Sequence, residues 1–224
     1  MNYKIDLHTH SILSYDGGIT REEYINAITT ETLDYIAITD HNEIDFAISL
    51  AKELPKNIIV GEEIMTKSGE IIGLFLNKII PKKLTLERTI ALIKEQNGFV
   101  YLPHPFDIMR FGIGQKNVML YLKEIDLIEV FNARAKIDIF NKKANKFAQN
   151  NNAVGVAGTD AHIGITLGKA YNEIEVELNH ENFLECMKGA KRTENYAPTF
   201  REKFAPTINV IKRKIHILRR DGKK

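Results

Sequence analysis

With 224 residues, 44% of them hydrophobic and 27% charged, the chain can build one sizeable α/β core, and its composition excludes disordered, collagen-like and disulfide-scaffold classes. The lone Cys186 allows no internal disulfide, and no stretch approaches the ~20 apolar residues of a membrane span. The formal charge of +2 is uneven: residues 201–224 carry nine Lys/Arg against two Asp/Glu, a net of +7, which leaves about −5 for the 200 residues before them.

The chain opens on MNYKIDLHTH, a strand-like run without the apolar core of a signal peptide, and a cytoplasmic protein is expected. Strand-type runs then follow at Lys4–Leu7, Tyr35–Thr39, Asn57–Val60, Ile71–Leu76, Gly98–Leu102, Leu127–Phe131, Val154–Ala157 and Ile174–Val176. Amphipathic helical segments lie between them at Thr20–Thr32, Glu43–Leu54, Leu84–Gln96 and Ile137–Asn150. Thr20 and Glu23 stand in capping-box spacing, Thr85 begins another helix, and Gly98 reads as a helix stop. Apolar residues occupy consecutive strand positions, as in a parallel sheet buried on both faces. About seven β–α units in ~200 residues favour a closed or nearly closed single-domain barrel over an open sheet. The barrel is expected to span residues 1–200, and residues 201–224 to form a basic amphipathic C-terminal helix or tail with Ile208, Ile211, Ile215 and Leu218 along one stripe.

The polar residues of interest fall at the C-terminal ends of these runs, where a parallel barrel assembles its active site. His8 and His10 end the first, Asp40 and His41 the second, Glu62 and Glu63 the third, His104 the fifth, Asn132 the sixth, and Asp160 and His162 the seventh. Residues two apart on a strand share a face, so both imidazoles of His8-Thr9-His10 can reach one ion, and Asp6 shares their phase as a candidate orienting carboxylate. Asp160-Ala161-His162 repeats the spacing, after Gly158 where a side chain would block approach. Taken singly, each has an ordinary explanation: Asp40 or Asn42 could cap the helix from Glu43, Glu62-Glu63 could be a solvated pair, and His104 could be incidental to the turn Pro103–Pro105. Five such pieces at successive strand ends point instead to a shared metal site. His180 and His216 belong to no constellation and read as surface residues, whereas Cys186 reads as packing beside Phe183 and Met187.

The set Asp6-Leu7-His8-Thr9-His10-Ser11 with Asp16-Gly17, Thr39-Asp40-His41, Gly61-Glu62-Glu63, Pro103-His104-Pro105 and Gly158-Thr159-Asp160-Ala161-His162 resembles the PHP (polymerase and histidinol phosphatase) family, in family order from residue 6 to about residue 175. The resemblance implies a distorted (β/α)7 TIM-like barrel with two or three divalent ions of manganese, zinc or iron. It also implies hydrolysis of phosphate esters by a metal-activated water. Carried over residue by residue, it makes His8, His10, Glu63 and Asp160 ligands of one ion and Asp16, His41 and His162 ligands of a second that shares Glu63. His104 would serve a third. Glu70 stands where many members have a histidine, and Asn132 matches another family histidine; a carboxylate can replace imidazole, but an amide is a poorer ligand.

Arg110 and Arg134 are the candidates for gripping phosphate, because guanidinium matches its oxygens bidentately. His104 is a candidate proton donor to the leaving group. The expected substrate is a small phosphomonoester, a nucleotide or a nucleic-acid end; the charged tail lacks the aromatic set of a specific nucleic-acid reader. Two other readings stay open. One is an amidohydrolase-type hydrolase of C–N bonds, whose barrels commonly carry a metal-bridging lysine that Lys78, Lys82 and Lys83 do not match in position. The other is a non-catalytic PHP accessory domain, which loss of ligands would mark. No oligomeric state follows from the sequence.

Overall fold

A computed structural model describes residues 2–197 and 204–212. In chain order the elements are β1 (Tyr3–Thr9), α1 (Arg21–Thr29), β2 (Tyr35–Ile38), α2 (Asp45–Glu53), β3 (Ile58–Thr66), β4 (Gly69–Leu74), α3 (Leu86–Glu95), β5 (Phe99–Leu102), α4 (Gly114–Leu120), β6 (Leu127–Asn132), α5 (Ile139–Asn150), β7 (Gly155–Gly158), β8 (Ala170–Ile174), α6 (Phe183–Gly189) and β9 (Lys191–Glu194). A further helix, α7, covers residues 204–212. The expected stripe on that helix continues through Ile215 and Leu218, which lie with His216 outside the described residues. Among the described residues no helix is long and apolar enough to cross a membrane.

The strands form one sheet in the order β7-β6-β5-β4-β3-β2-β1-β8-β9. It curls until the ends of β1 and β7 meet: Thr9 bridges Ala161 in parallel, His10 N–H donates to the Ala161 carbonyl at 2.8 Å, and Ala161 N–H to that of His8 at 3.3 Å. Below that point one side chain closes the seam. Buried Asn172 on β8 accepts from Ala157 N–H at 2.9 Å and donates to the carbonyls of Ala157 at 2.8 Å and Ile5 at 3.3 Å. The nearly closed α/β barrel is as expected, but the sheet is not all parallel. β3 and β4 form an antiparallel hairpin with no helix between them, β4 is also antiparallel to β5, and β8 is antiparallel to both β1 and β9. The two-residue Lys67-Ser68 connection leads into Gly69, which has φ of 120° and turns the chain back. Helix α4 and strand β9 fall in segments without a clear period, and neither was foreseen.

Helix starts follow local chemistry. Thr20 accepts from Glu23 N–H at 3.3 Å while Glu23 accepts from Thr20 N–H at 2.8 Å, and Thr85 accepts from Arg88 N–H at 3.3 Å. Neither Asp40 nor Asn42 caps α2; Glu43 takes the N–H groups of Ile44 and Asp45. At the end of α3 it is Asn97 that turns left-handed, with φ of 60°, and Gly98 N–H then bonds the Ile93 carbonyl at 2.9 Å.

Inside the barrel Ile5, Leu7, Ala37, Ile59, Ile72, Leu74, Tyr101, Leu127 and Val156 pack together, with Phe183 and Met187 of α6 joining the same cluster. Cys186 packs at its edge, as expected. His180 is half-buried rather than free on the surface, its ring against Phe75 and Phe99 and its Nε2 at 2.8 Å from the Asn97 carbonyl.

Two irregularities in register set which residues face inward. Between Asp6 and Thr9 β1 holds one residue more than its partner span Ile36–Ile38, and β6 has an extra residue between Glu129 and Phe131. Such bulges re-aim side chains and cluster beside active sites. The first breaks the common phase of Asp6 and His8. The second lets Glu129 and Asn132, three apart, serve one side of the sheet.

Candidate metal centre

At the barrel mouth the structure gathers His8, His10, Asp16, His41, Glu63, Glu70, His104, Asp160 and His162, all nine of the candidate ligands. They fall into overlapping groups: His8, His10 and Glu63; His8, His104 and Asp160; His10, Asp16, His41 and His162; and His41, Glu63 and Glu70, with the offered ligand atoms of each group within 4.8 Å of one another. Glu63 lies at the centre of the cluster. Its Oε2 is 3.2 Å from His8 Nε2, 3.3 Å from His10 Nε2 and 3.4 Å from His41 Nδ1, and its Oε1 is 3.2 Å from His104 Nε2. The β2–β3 ladder places it there, extending past β2 through a parallel bridge between His41 and Glu63. Glu62, next along the strand, is buried elsewhere, accepting from Ile80 N–H at 2.8 Å.

The hairpin explains Glu70. Glu63 pairs with Ile72 and Met65 with Glu70, so both carboxylates lie on one face, diagonally across two strands. Glu70 reaches His41 Nδ1 at 3.4 Å and His104 Nε2 at 3.9 Å. On the opposite side Asp16 Oδ2 lies 3.2 Å from His162 Nε2 and 3.6 Å from His41 Nε2. Asp160 Oδ1 lies 3.5 Å from His10 Nε2 and 3.7 Å from His8 Nε2. Asp160 and His104 both have left-handed backbones, with φ of 54° and 28°, the kind of strain that collects at functional sites.

The residue behind His8 is not Asp6. Asp6 turns to the backbone N–H of His8 at 3.3 Å and to the N–H and hydroxyl of Thr159. The imidazole is held instead by Glu129, whose Oε1 is 3.0 Å from His8 Nδ1 and accepts from Tyr101 Oη at 2.7 Å. Glu129 Oε2 accepts from His104 N–H at 2.7 Å and Asn132 Nδ2 at 2.9 Å. Sequence reasoning missed it, although a lone carboxylate inside the apolar run of β6 was the available signal. Gly158 makes this possible, since a Cβ there would collide with Glu129 Oε1 and come within 2.9 Å of Tyr101 Oη.

Asn132 is fully occupied as an organiser. Its Oδ1 accepts from Arg110 Nη1 and Arg134 N–H, each at 2.9 Å, and its Nδ2 donates to Glu129 at 2.9 Å and to Asp160 at 3.2 Å. Both arginines turn into the centre. Arg110 Nη1 lies 2.5 Å from Asp160 Oδ2, and Arg134 Nη1 lies 2.8 Å from Asp160 Oδ1. They line a cavity of about 170 Å³ with Tyr15, Asp16, His41, Glu63, Glu70 and His104. Asp40 points away, accepting from Ser11 N–H at 2.6 Å and its hydroxyl at 2.5 Å, so His41 is the member of that pair that faces the site.

Burial opposes charge throughout, and the carboxylates decide which imidazoles keep it. At His8 burial works against the proton, but Asp160, Glu63 and Glu129 outweigh it and raise the pKa well above the usual value. His10 is lifted likewise to about 9, against its burial, by Asp160 and Glu63. His162 falls to about 4, through burial and the Arg134 charge. Burial and the neighbouring Glu63 push Glu70 up to about 9. Despite burial, Glu63 is held well below the ordinary range by His41 and His8, and Asp160 by Arg134 and His8.

This donor set fits divalent ions. The mixture of imidazole and carboxylate suits zinc, manganese or iron, and neither ring nitrogen of the fully buried His10 makes a hydrogen bond. Buried groups of that kind normally have partners.

A family of PHP-associated sequences matches residues 138–188. The chain is 35% identical over 199 residues to the uncharacterized protein MJ0417 of Methanocaldococcus jannaschii, an alignment covering 83% of this chain and 79% of that one. In fold it is similar to a two-domain protein of Bacteroides vulgatus containing a predicted PHP-like metal-dependent phosphoesterase, with a TM-score of 0.69 at 19% identity, covering 87% of this chain and 65% of that chain. It is similar as well to an amidohydrolase of Chromobacterium violaceum with bound sulfate and no metal, with a TM-score of 0.60 at 16% identity, covering 84% of this chain and 98% of that one.

Proposed function

The chain belongs to the PHP family, and we propose that it is a metal-dependent phosphoesterase acting on a phosphomonoester, a nucleotide or a nucleic-acid end. The observation that carries this reading is the junction of nine metal-type donors, six of which line one small cavity together with two inward-turned arginines. In this reading His8, His10, Glu63 and Asp160 hold one ion, and Asp16, His41 and His162 a second that shares Glu63. Glu63, Glu70 and His104 offer a weaker third set, because Glu70 lies nearer His41, at 3.4 Å, than His104, at 3.9 Å. Manganese, zinc or iron bound there would supply Lewis-acid stabilisation of phosphoryl charge and a lowered pKa for water.

The protein's own groups do the rest. Arg110 and Arg134, with side chains 18% and 16% exposed, present guanidinium donors to phosphate oxygens at the cavity wall. Asn132 aims both of them, through its bonds to the Arg110 side chain and the Arg134 backbone. Glu129 keeps His8 in one tautomer and orientation, as carboxylates behind ligating histidines do. The amidohydrolase reading is disfavoured by the donors themselves: Lys78, Lys82 and Lys83 are exposed and outside the cluster. A non-catalytic role is disfavoured by the complete set of donors for two ions.

The test is elemental analysis of the purified protein, followed by a phosphate-ester panel against its manganese-, zinc- and iron-loaded forms. At least two ions per chain and phosphate release in one of those forms are expected. Fewer than two ions, or hydrolysis of an amide and no phosphate ester, would overturn the reading.

Loading should also be coupled to protons. His10 and Glu70 each hold a proton up to about pH 9 before an ion binds, and a ligand must give up that proton to bind. Apparent affinity therefore rises with pH up to about 9 and levels off above that. Calorimetry near pH 7.5 in buffers of different ionisation enthalpy should read a net proton release; net uptake would contradict the ligand roles of both residues.

A further inference from the structure

Helix α7 brings a side chain to the metal centre from a segment that the sequence suggests is a separate tail. Asn209 Nδ2 donates to the backbone carbonyl of Asp16 at 2.9 Å and to that of His162 at 3.3 Å. These two residues come from loops 146 positions apart, one after β1 and one after β7, and their side chains meet at 3.2 Å. A single amide group, with its two hydrogens, thus sets the spacing of both backbones. Gly18 makes room for it: a Cβ there would lie 2.7 Å from Asn209 Nδ2 and 3.0 Å from the His162 carbonyl oxygen. Ala205 is the residue of the helix buried against the barrel, at 3% exposed, while Phe204, and Ile208 and Ile211 of the expected apolar stripe, are exposed. Pro206 and Thr207 on its flank share a cavity of about 190 Å³ with Arg110 and Arg134.

We propose that Asn209 is a positioning residue for the second ion, fixing the backbones from which Asp16 and His162 project, and that α7 is therefore part of the active centre. The inference rests on the ligand assignment proposed above. Its specificity comes from geometry: both acceptors belong to ligands of the second ion, while the first ion's set of His8, His10, Glu63 and Asp160 is fixed by β1, β3 and the seam. Without the amide, the stretches at Asp16 and His162 lose their common reference, because the one backbone bond the fold gives these two loops, from His10 N–H to the Ala161 carbonyl, lies six residues before Asp16, and a carboxylate in its place would set oxygen against two carbonyl oxygens.

The experiment is a calorimetric titration of metal-free, full-length protein with Mn²⁺, comparing the natural chain with Asn209→Ala, the isosteric Asn209→Asp and, from the other side of the contact, Gly18→Ala. Circular dichroism confirms folding of each variant. The first equivalent should bind as in the natural chain, and the second should weaken by roughly 10–100-fold, the usual cost of losing a group that orients a ligand. Asn209→Asp should lose more than Asn209→Ala. Equal weakening of both equivalents in a folded variant would make the residue merely structural and overturn the proposal. So would an unchanged second equivalent, or a natural chain that takes up only one. Because no substrate enters the titration, a protein that binds two ions yet hydrolyses no phosphate ester would sink the phosphoesterase reading and leave this one standing.

Discussion

Glu63→Gln should strip the protein of both proposed ions and lower turnover by about 10³-fold or more, since the charge stabilisation that ions give a transition state is worth several kcal/mol, and about 4 kcal/mol is three decades. The substitution keeps the shape of the side chain and removes its charge. In the native site that charge is shared by His8, His10 and His41 at one oxygen and by His104 at the other, at 3.2–3.4 Å. An amide offers one acceptor oxygen and turns an NH₂ group toward imidazoles that must themselves stay unprotonated to bind metal. No other side chain of the centre touches as many of the other donors, so no other single change should cost both ions together. Glu62→Gln is the control: one residue away, its carboxylate leaves the site to accept from Ile80 N–H, and turnover should stay within about twofold. Elemental analysis with kcat/KM on the best substrate of the panel reads both variants. Full metal content in Glu63→Gln would remove Glu63 from its shared position.

Glu129→Ala should destabilise the metal-free fold by about 3–5 kcal/mol, the range for breaking a buried charged pair by deleting one partner. Three groups lose their acceptor at once, His8 Nδ1, the Tyr101 hydroxyl and the His104 N–H, and Asn132 Nδ2 keeps only Asp160. All belong to fully or almost fully buried residues, so water cannot easily replace the lost bonds. Metal affinity at the first ion should fall by roughly 10–100-fold in addition, because His8 loses the group that sets its tautomer. Urea denaturation of the metal-free protein separates the first effect from the second, which a metal titration reads. Glu129→Gln should be milder, since it keeps one acceptor oxygen. A Glu129→Ala protein with native stability would mean that water reaches the pocket.

The candidate ligands were legible because metal chemistry restricts residue type, and the barrel puts the residues it needs just after apolar runs. His8, His10, Glu63 and Asp160 stood out for that reason. The groups that hold them did not. Glu129 is one carboxylate in a hydrophobic strand, and it faces inward because β6 carries an extra residue; a bulge has no signature in composition. Asp6 misled for the same cause, since strict alternation gave it a place behind His8 that the bulge in β1 takes away. The reversed direction of β4 was hidden by the length of β3, whose continuation past Val60 holds Gly61, Glu62 and Glu63 and so reads as a loop. Asn209 was out of reach altogether, because only tertiary docking brings position 209 against positions 16 and 162.

The seam that Asn172 closes has one more implication. β1 and β7 share few backbone hydrogen bonds, and their banks are joined by the Asn172 amide, by the Asp6 carboxylate on Thr159, and by one short bridge above. The proposed first ion draws His8 and His10 from one bank and Asp160 from the other. It would therefore act as a clasp across the barrel's least-laced join, and affinity and closure would be two readings of a single equilibrium. Whatever loosens the join, however far from the mouth, should surface as a weaker hold on the ion.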